Sequence, residues 1–148
     1  MNQPQAGLYK AYNRASHTVS KTRQVVMLYD GAIRFLQHAS EAMEKKDYEM
    51  RYNKLSRVSD IVMGLQSCLD FEVGGPSAKG LYDFYAALDM KIFALHRSND
   101  VKACQALIAE IKEMRDVWDA IDKGSETHAP AAEAKHAEGS ADPTTVSA

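Results

Sequence analysis

The stretch Val25-Val26-Met27-Leu28-Tyr29-Asp30-Gly31-Ala32-Ile33-Arg34-Phe35-Leu36 decides the fold. Asp30-Gly31 looks like a turn signal, yet the apolar stripe Val25, Tyr29, Ala32, Leu36, Ala39, Met43 passes through it with spacings of 4, 3, 4, 3 and 4. That spacing is the face of a helix in an antiparallel bundle. The reading keeps the helix whole from Lys21 to Lys45, capped by Ser20, and accepts about 1 kcal/mol of lost propensity at the glycine. Close approach of a neighbouring helix is the expected reason for Gly31.

Outward from this segment, three more helices follow. Asp47 caps a second helix running to Phe71, with the stripe Tyr48, Tyr52, Leu55, Val58, Val62, Leu65, Leu69. Glu72-Val73-Gly74-Gly75-Pro76-Ser77 reads as a loop, because two glycines and a proline sit poorly in a helix interior. The third helix spans Ala78 to Arg97, with Leu81, Tyr85, Leu88, Ile92 and Leu95 facing in. Ser98-Asn99-Asp100 is a turn, and Asp100 caps a fourth helix carrying Val101, Cys104, Ile108, Ile111, Met114, Trp118 and Ile121. No segment alternates as a strand would, so the fold class is all-α, an antiparallel four-helix bundle. The expected organisation is an N-terminal arm over 1–19, the bundle over 20–123, and a disordered acidic, alanine-rich tail over 124–148. The tail has too few large apolar side chains to offset the entropy of ordering.

The 148 residues are 45% hydrophobic and 26% charged with a net charge of −2, which fits one soluble domain. Met1 to Arg23 holds four basic residues and no acid, whereas Asp122 onward holds five acids and two lysines. These ends are either partner surfaces or simply solvated termini. Cys68 and Cys104 form neither a disulfide framework nor a zinc pattern and read as buried thiols of a reducing compartment. With no signal peptide and no long uncharged apolar window, the expected location is cytoplasmic.

Catalytic chemistry finds no constellation here, so the chain reads as a non-enzyme without cofactor or metal. A di-iron bundle needs Glu-x-x-His pairs on facing helices. The one such pair, Glu133 with His136, falls in the tail, and His17, His38 and His96 lack a ligand-spaced companion. Lys45, Lys46, Arg51, Lys54 and Arg57 are interleaved with Glu44, Asp47, Glu49 and Asp60, which reads as a solvated face rather than a nucleic-acid site. No small-molecule substrate is implied.

The positive signal is surplus apolar surface. The first helix adds Val26/Ile33 and Leu28/Phe35 beside its stripe, the second adds Ile61 and Met63, and the third adds Tyr82, Met90 and Phe93. A bundle helix needs about three apolar positions in seven. The remainder either thickens the core or lines grooves for an amphipathic partner helix, where Met and aromatic residues adapt well. Tyr9 and Tyr12 lie in the arm where no stripe requires them. They either anchor the arm or join the partner site.

Thr18-Val19-Ser20 and then Met27-Leu28-Tyr29-Asp30-Gly31-Ala32-Ile33-Arg34-Phe35-Leu36 resemble the signature of the flagellar secretion chaperone family. Tyr9-Lys10-Ala11-Tyr12 is similar to that family's N-terminal tyrosine segment. Ile61-Val62 to Leu69-Asp70, Leu81-Tyr82, Asn99-Asp100 and Arg115 to Trp118 follow in order, so the resemblance spans about residues 8–121. Lys21, Arg23 and Gln24 depart from it. The family often has Pro and Glu at the first two of these positions, and a cationic first turn opposes the helix dipole. The start of the first helix is therefore frayed or adapted to an acidic partner. The resemblance implies a four-helix bundle that binds the C-terminal segment of flagellin in the cytosol and blocks its premature polymerisation. It also implies delivery of the complex to the membrane export gate of the flagellar type III secretion system. The expected partner-binding residues are Tyr9, Tyr12, Ile61, Met63, Tyr82, Met90 and Phe93, the last five from helical phase alone. The alternatives are a self-associating bundle whose spare surface closes a homodimer, and a regulatory adaptor for other flagellar factors.

Overall fold

The computed structural model describes residues 19–127, which form four helices: α1 (Lys21–Glu44), α2 (Tyr48–Ser67), α3 (Phe71–Ser98) and α4 (Val101–Thr127). No strand occurs among the described residues. Tyr9, Tyr12 and the Glu133/His136 pair lie outside them.

The helices begin where side-chain acceptors meet their free N–H groups. Ser20 Oγ accepts from the Arg23 N–H at 3.0 Å, Asp47 from Met50 at 3.1 Å, and Asp100 from Ala103 at 3.0 Å. Helix α1 is continuous through Asp30-Gly31. A Cβ on Gly31 would stand 3.5 Å from Ile61 Cδ1 of α2, which is ordinary van der Waals contact. The helices do approach closely there, but an alanine would also fit.

The expected loop over 72–77 is instead the first turn of α3. Asp70 accepts from the Glu72 and Val73 N–H groups at 3.0 and 3.1 Å, and the Asp70 carbonyl accepts from Gly74 at 2.8 Å. The turn is broken from the rest of the helix at Gly75, whose φ of 53° and ψ of −131° favour glycine. Pro76 follows as the first residue of a fresh helical stretch, where its missing N–H costs nothing. At the other end of the chain, α4 runs to Thr127, one turn past the expected limit at Lys123.

The core is built from all four helices. Leu36, Ala39, Leu55, Val58, Ile92 and Cys104 are fully sealed within it. The Tyr29 and Tyr85 hydroxyls meet inside at 2.8 Å, joining α1 to α3 across the bundle. Burial raises both phenols above the ordinary tyrosine range. Val26 and Ile33, expected as surplus, are buried because α1 packs closely along both α2 and α4. Tyr48, Tyr52 and Ile121, expected in core stripes, are exposed. Cys104 is buried, its thiol pushed up to about 11 by burial, but Cys68 is exposed at the end of α2, which corrects the reading of two buried thiols.

Two polar junctions close the ends. At one, Arg51 donates to Asn99 Oδ1 at 3.0 Å and to the His96 carbonyl at 2.7 Å, while Asn99 donates to the Met43 carbonyl at 3.3 Å. At the other, the buried Asp122 of α4 accepts from Ser20 Oγ at 2.6 Å, Thr22 Oγ1 at 2.7 Å and Arg23 Nε at 2.9 Å. Arg23 also pairs with Asp119 at 2.9 Å. The cationic first turn of α1 thus faces carboxylates of its own chain. An acid delivered from α4 stands at the α1 N-terminus, where the helix dipole favours negative charge.

Candidate partner-binding surface

Helix α3 is held unequally. It packs along α2, meets α4 only sparsely, and is bridged to it by one ion pair, Lys91 to Glu110 at 2.7 Å. Its buried side carries Ala78, Tyr85, Leu88, Ile92 and Leu95. Among the described residues, no further helix covers the rest of its circumference. Tyr82 and Phe93 stand eleven residues apart, about three turns, and so share a face, with Met90 beside them.

These residues are open to solvent: Met90 is 76% exposed, Phe93 65% and Tyr82 44%. Met63 of α2 is 62% exposed and lies one turn before Gln66, whose side-chain amide donates to the Tyr82 carbonyl at 3.2 Å. Met63 therefore borders the α2–α3 seam. Ile61 does not share this surface. Two residues from Met63 on a helix, it points to the opposite side, against Gly31 of α1.

The start of α3 extends the apolar surface in a way the sequence reading missed. The break at Gly75 folds the first turn back, so that the Phe71 ring lies 5.7 Å from the Tyr82 ring. Phe71, Gly75, Pro76, Lys79, Tyr82 and Asp83 line an open depression of about 580 Å³. Val73 is exposed on the same turn. At the far end of the seam, Tyr52 packs 5.3 Å from the ring of His96. Val73 is hidden by the expected loop, Phe71 by its expected place at the end of the second helix, and Tyr52 by its expected place in a core stripe. The signal that would have found Phe71 is Asp70, a capping residue placed ahead of it.

Such a surface suits apolar contact rather than chemistry. Monomeric soluble proteins scatter single exposed apolar residues, but a continuous run of them marks an interaction site. No group of three or more metal-ligating side chains occurs among the described residues. Nor is any of their helices long and apolar enough to cross a membrane.

The geometry defines a small all-α bundle with an exposed methionine and aromatic face. The comparisons carry the assignment further. The family model described as flagellar protein FliS matches residues 4–125, so the chain belongs to the FliS family of flagellar secretion chaperones. It is 31% identical over 120 residues to the flagellar secretion chaperone FliS of Vibrio cholerae serotype O1, covering 78% of this chain and 88% of the relative. It is similar at 27% identity to the Salmonella typhimurium chaperone, covering 76% and 87%. Against that of Bacillus subtilis the identity is 24%, covering 74% and 82%.

Proposed function

We propose that this chain binds the C-terminal segment of flagellin in the cytoplasm, keeps it from polymerising, and escorts it to the flagellar export apparatus. The observation that carries this reading is the open face formed by Met63, Tyr82, Met90 and Phe93, with Phe71 beside Tyr82. An amphipathic segment lays its apolar positions on that face, and methionine side chains adjust to it without strain. Covering the client's apolar stripe removes the surface it would use to pack in a filament. A client disordered when free pays its ordering entropy on binding, which moderates affinity and allows release at the export gate. Tyr9 and Tyr12 belong to the proposed site through the family resemblance, whereas Ile61, turned toward Gly31 of α1, stands apart from that face.

The test is a pull-down and calorimetric titration of the purified chain with full-length flagellin and with flagellin lacking its C-terminal segment. Binding is expected only for the full-length protein. Equal binding of both forms would sink the reading.

A further inference from the structure

The second apolar strip of the molecule lies on the far side of α2 and is framed by cations. Gly31, Phe35 and Ile61 line the α1–α2 seam, with Phe35 and Ile61 partly buried. Arg34 reaches over it: its guanidinium lies 3.8 Å from where a Gly31 Cβ would be. From the other wall, Lys54 Nζ sits 5.5 Å above the Phe35 ring. His38 follows Arg34 by one turn, and Arg57 follows Lys54 by one turn, so both continue these walls.

The sequence interleaves these cations with acids, but folding sorts them. Arg51 turns away to the opposite junction with Asn99, and Asp47 is spent capping α2. Arg23, Lys91 and Arg115 each hold a carboxylate within 4 Å. Among the described residues, no carboxylate forms an ion pair with Arg34, Lys54 or Arg57. Asp60 and Glu41 flank the walls without reaching them. The walls are short, about one helical turn each: Arg34 to His38 rises about 6 Å and Lys54 to Arg57 about 4.5 Å at 1.5 Å per residue.

We propose that the α1–α2 seam docks an acidic amphipathic helix of a partner protein. One or two apolar side chains of that helix rest on Phe35 and Ile61, and carboxylates on either side pair with Arg34 and His38 on one wall and Lys54 and Arg57 on the other. Charge complementarity selects the partner, and the apolar floor fixes its register. The site is separate from the face holding Met90 and Phe93, and it stands whether or not that face binds flagellin.

The probe is a fluorescein-labelled synthetic helix of eighteen residues with leucine on one stripe and glutamate on both flanks, titrated by anisotropy into the full chain. A second peptide carries lysine in place of glutamate. The acidic peptide is expected to bind and the basic one not. The double variant Arg34→Glu/Arg57→Glu, at two exposed positions, should weaken binding about tenfold or more, and raising the salt should do the same in the parent. Met90→Ser/Phe93→Ser should leave it unchanged. Equal binding of both peptides, indifference to the charge reversal, or loss on the α3 variant would overturn the proposal. So would failure of the peptide to bind while vesicles of phosphatidylserine and phosphatidylcholine do, since that outcome makes the patch a membrane face.

Discussion

Helices α1 and α3 are both richer in apolar residues than a single buried stripe requires, and the bundle treats them oppositely. Helix α1 lies between α2 and α4 and buries its extra Val26 and Ile33. Helix α3 has one close neighbour, and its extra Tyr82, Met90 and Phe93 stay in water. Apolar residues beyond the main stripe are core at Val26 and Ile33 and surface at Tyr82, Met90 and Phe93. What separates them is the number of packed neighbours, which composition does not reveal. Val26 and Ile33 of α1 are cohesion, its Leu28 stays exposed and its Phe35 only partly buried, and the surplus on α3 is open to solvent.

Substitutions on the two helices test this contrast. The largest effect is expected on the α1 side: Leu36→Ala empties a fully sealed site and should cost about 2–5 kcal/mol in urea unfolding. Met90→Ser/Phe93→Ser should reverse the pattern. Its unfolding free energy should move by no more than about 0.5 kcal/mol, while flagellin affinity should fall about tenfold, the equivalent of about 1.4 kcal/mol. If the α3 variant lost stability instead of affinity, the two helices would not differ in the way described.

The junction between α1 and α4 sharpens the contrast next. Asp122→Ala removes the acceptor shared by Ser20, Thr22 and Arg23 and should cost about 1–3 kcal/mol. The hydrogen bonds from Ser20 and Thr22, with the Arg23 contact, hold the Asp122 carboxyl below its ordinary value. A carboxylate with a depressed folded value contributes stability above its unfolded pKa of about 3.9. That contribution is lost as the pH falls through the lower folded value. Acid titration of the parent against Asp122→Ala should therefore show a difference near pH 7 that shrinks below about pH 4. A constant difference would remove the charge from the explanation.

The smallest effect has the opposite sign. Gly31→Ala adds a methyl in ordinary contact range of Ile61 and lowers the entropy of the unfolded chain, so stability should rise by about 0.5–1 kcal/mol. A loss on thermal denaturation would mean that α1 and α2 cannot accept even that methyl.

Much of the fold was legible because local chemistry and tertiary packing agree. Ser20, Asp47 and Asp100 cap as their residue types predict, and the stripe from Tyr29 to Met43 is buried as its spacing demands. The failures arise where tertiary context decides. Tyr48 and Tyr52 fit the periodicity of α2 but lie beyond the cover of its neighbours. Gly74-Gly75-Pro76 reads as a loop by propensity, yet one glycine conformation and a helix-starting proline convert it into a hinge between two helical pieces. Arg23 opposes its own helix dipole and makes sense only once Asp119 and Asp122 are in place, nearly a hundred residues away in the chain. The open face was legible in part. Helical phase pointed to Met63, Tyr82, Met90 and Phe93, and the same phase already sets Ile61, two residues from Met63, on the opposite side of the helix.

The bond between Ser20 and Asp122 spans 102 residues. Closing so long a loop is entropically costly until the intervening helices have packed, so this clasp is expected to fasten late in folding. Weakening it should hasten unfolding while leaving the folding rate nearly untouched. The start of α1 and the end of α4 then form a seal on a finished product: they stay shut only while everything between them is correctly assembled.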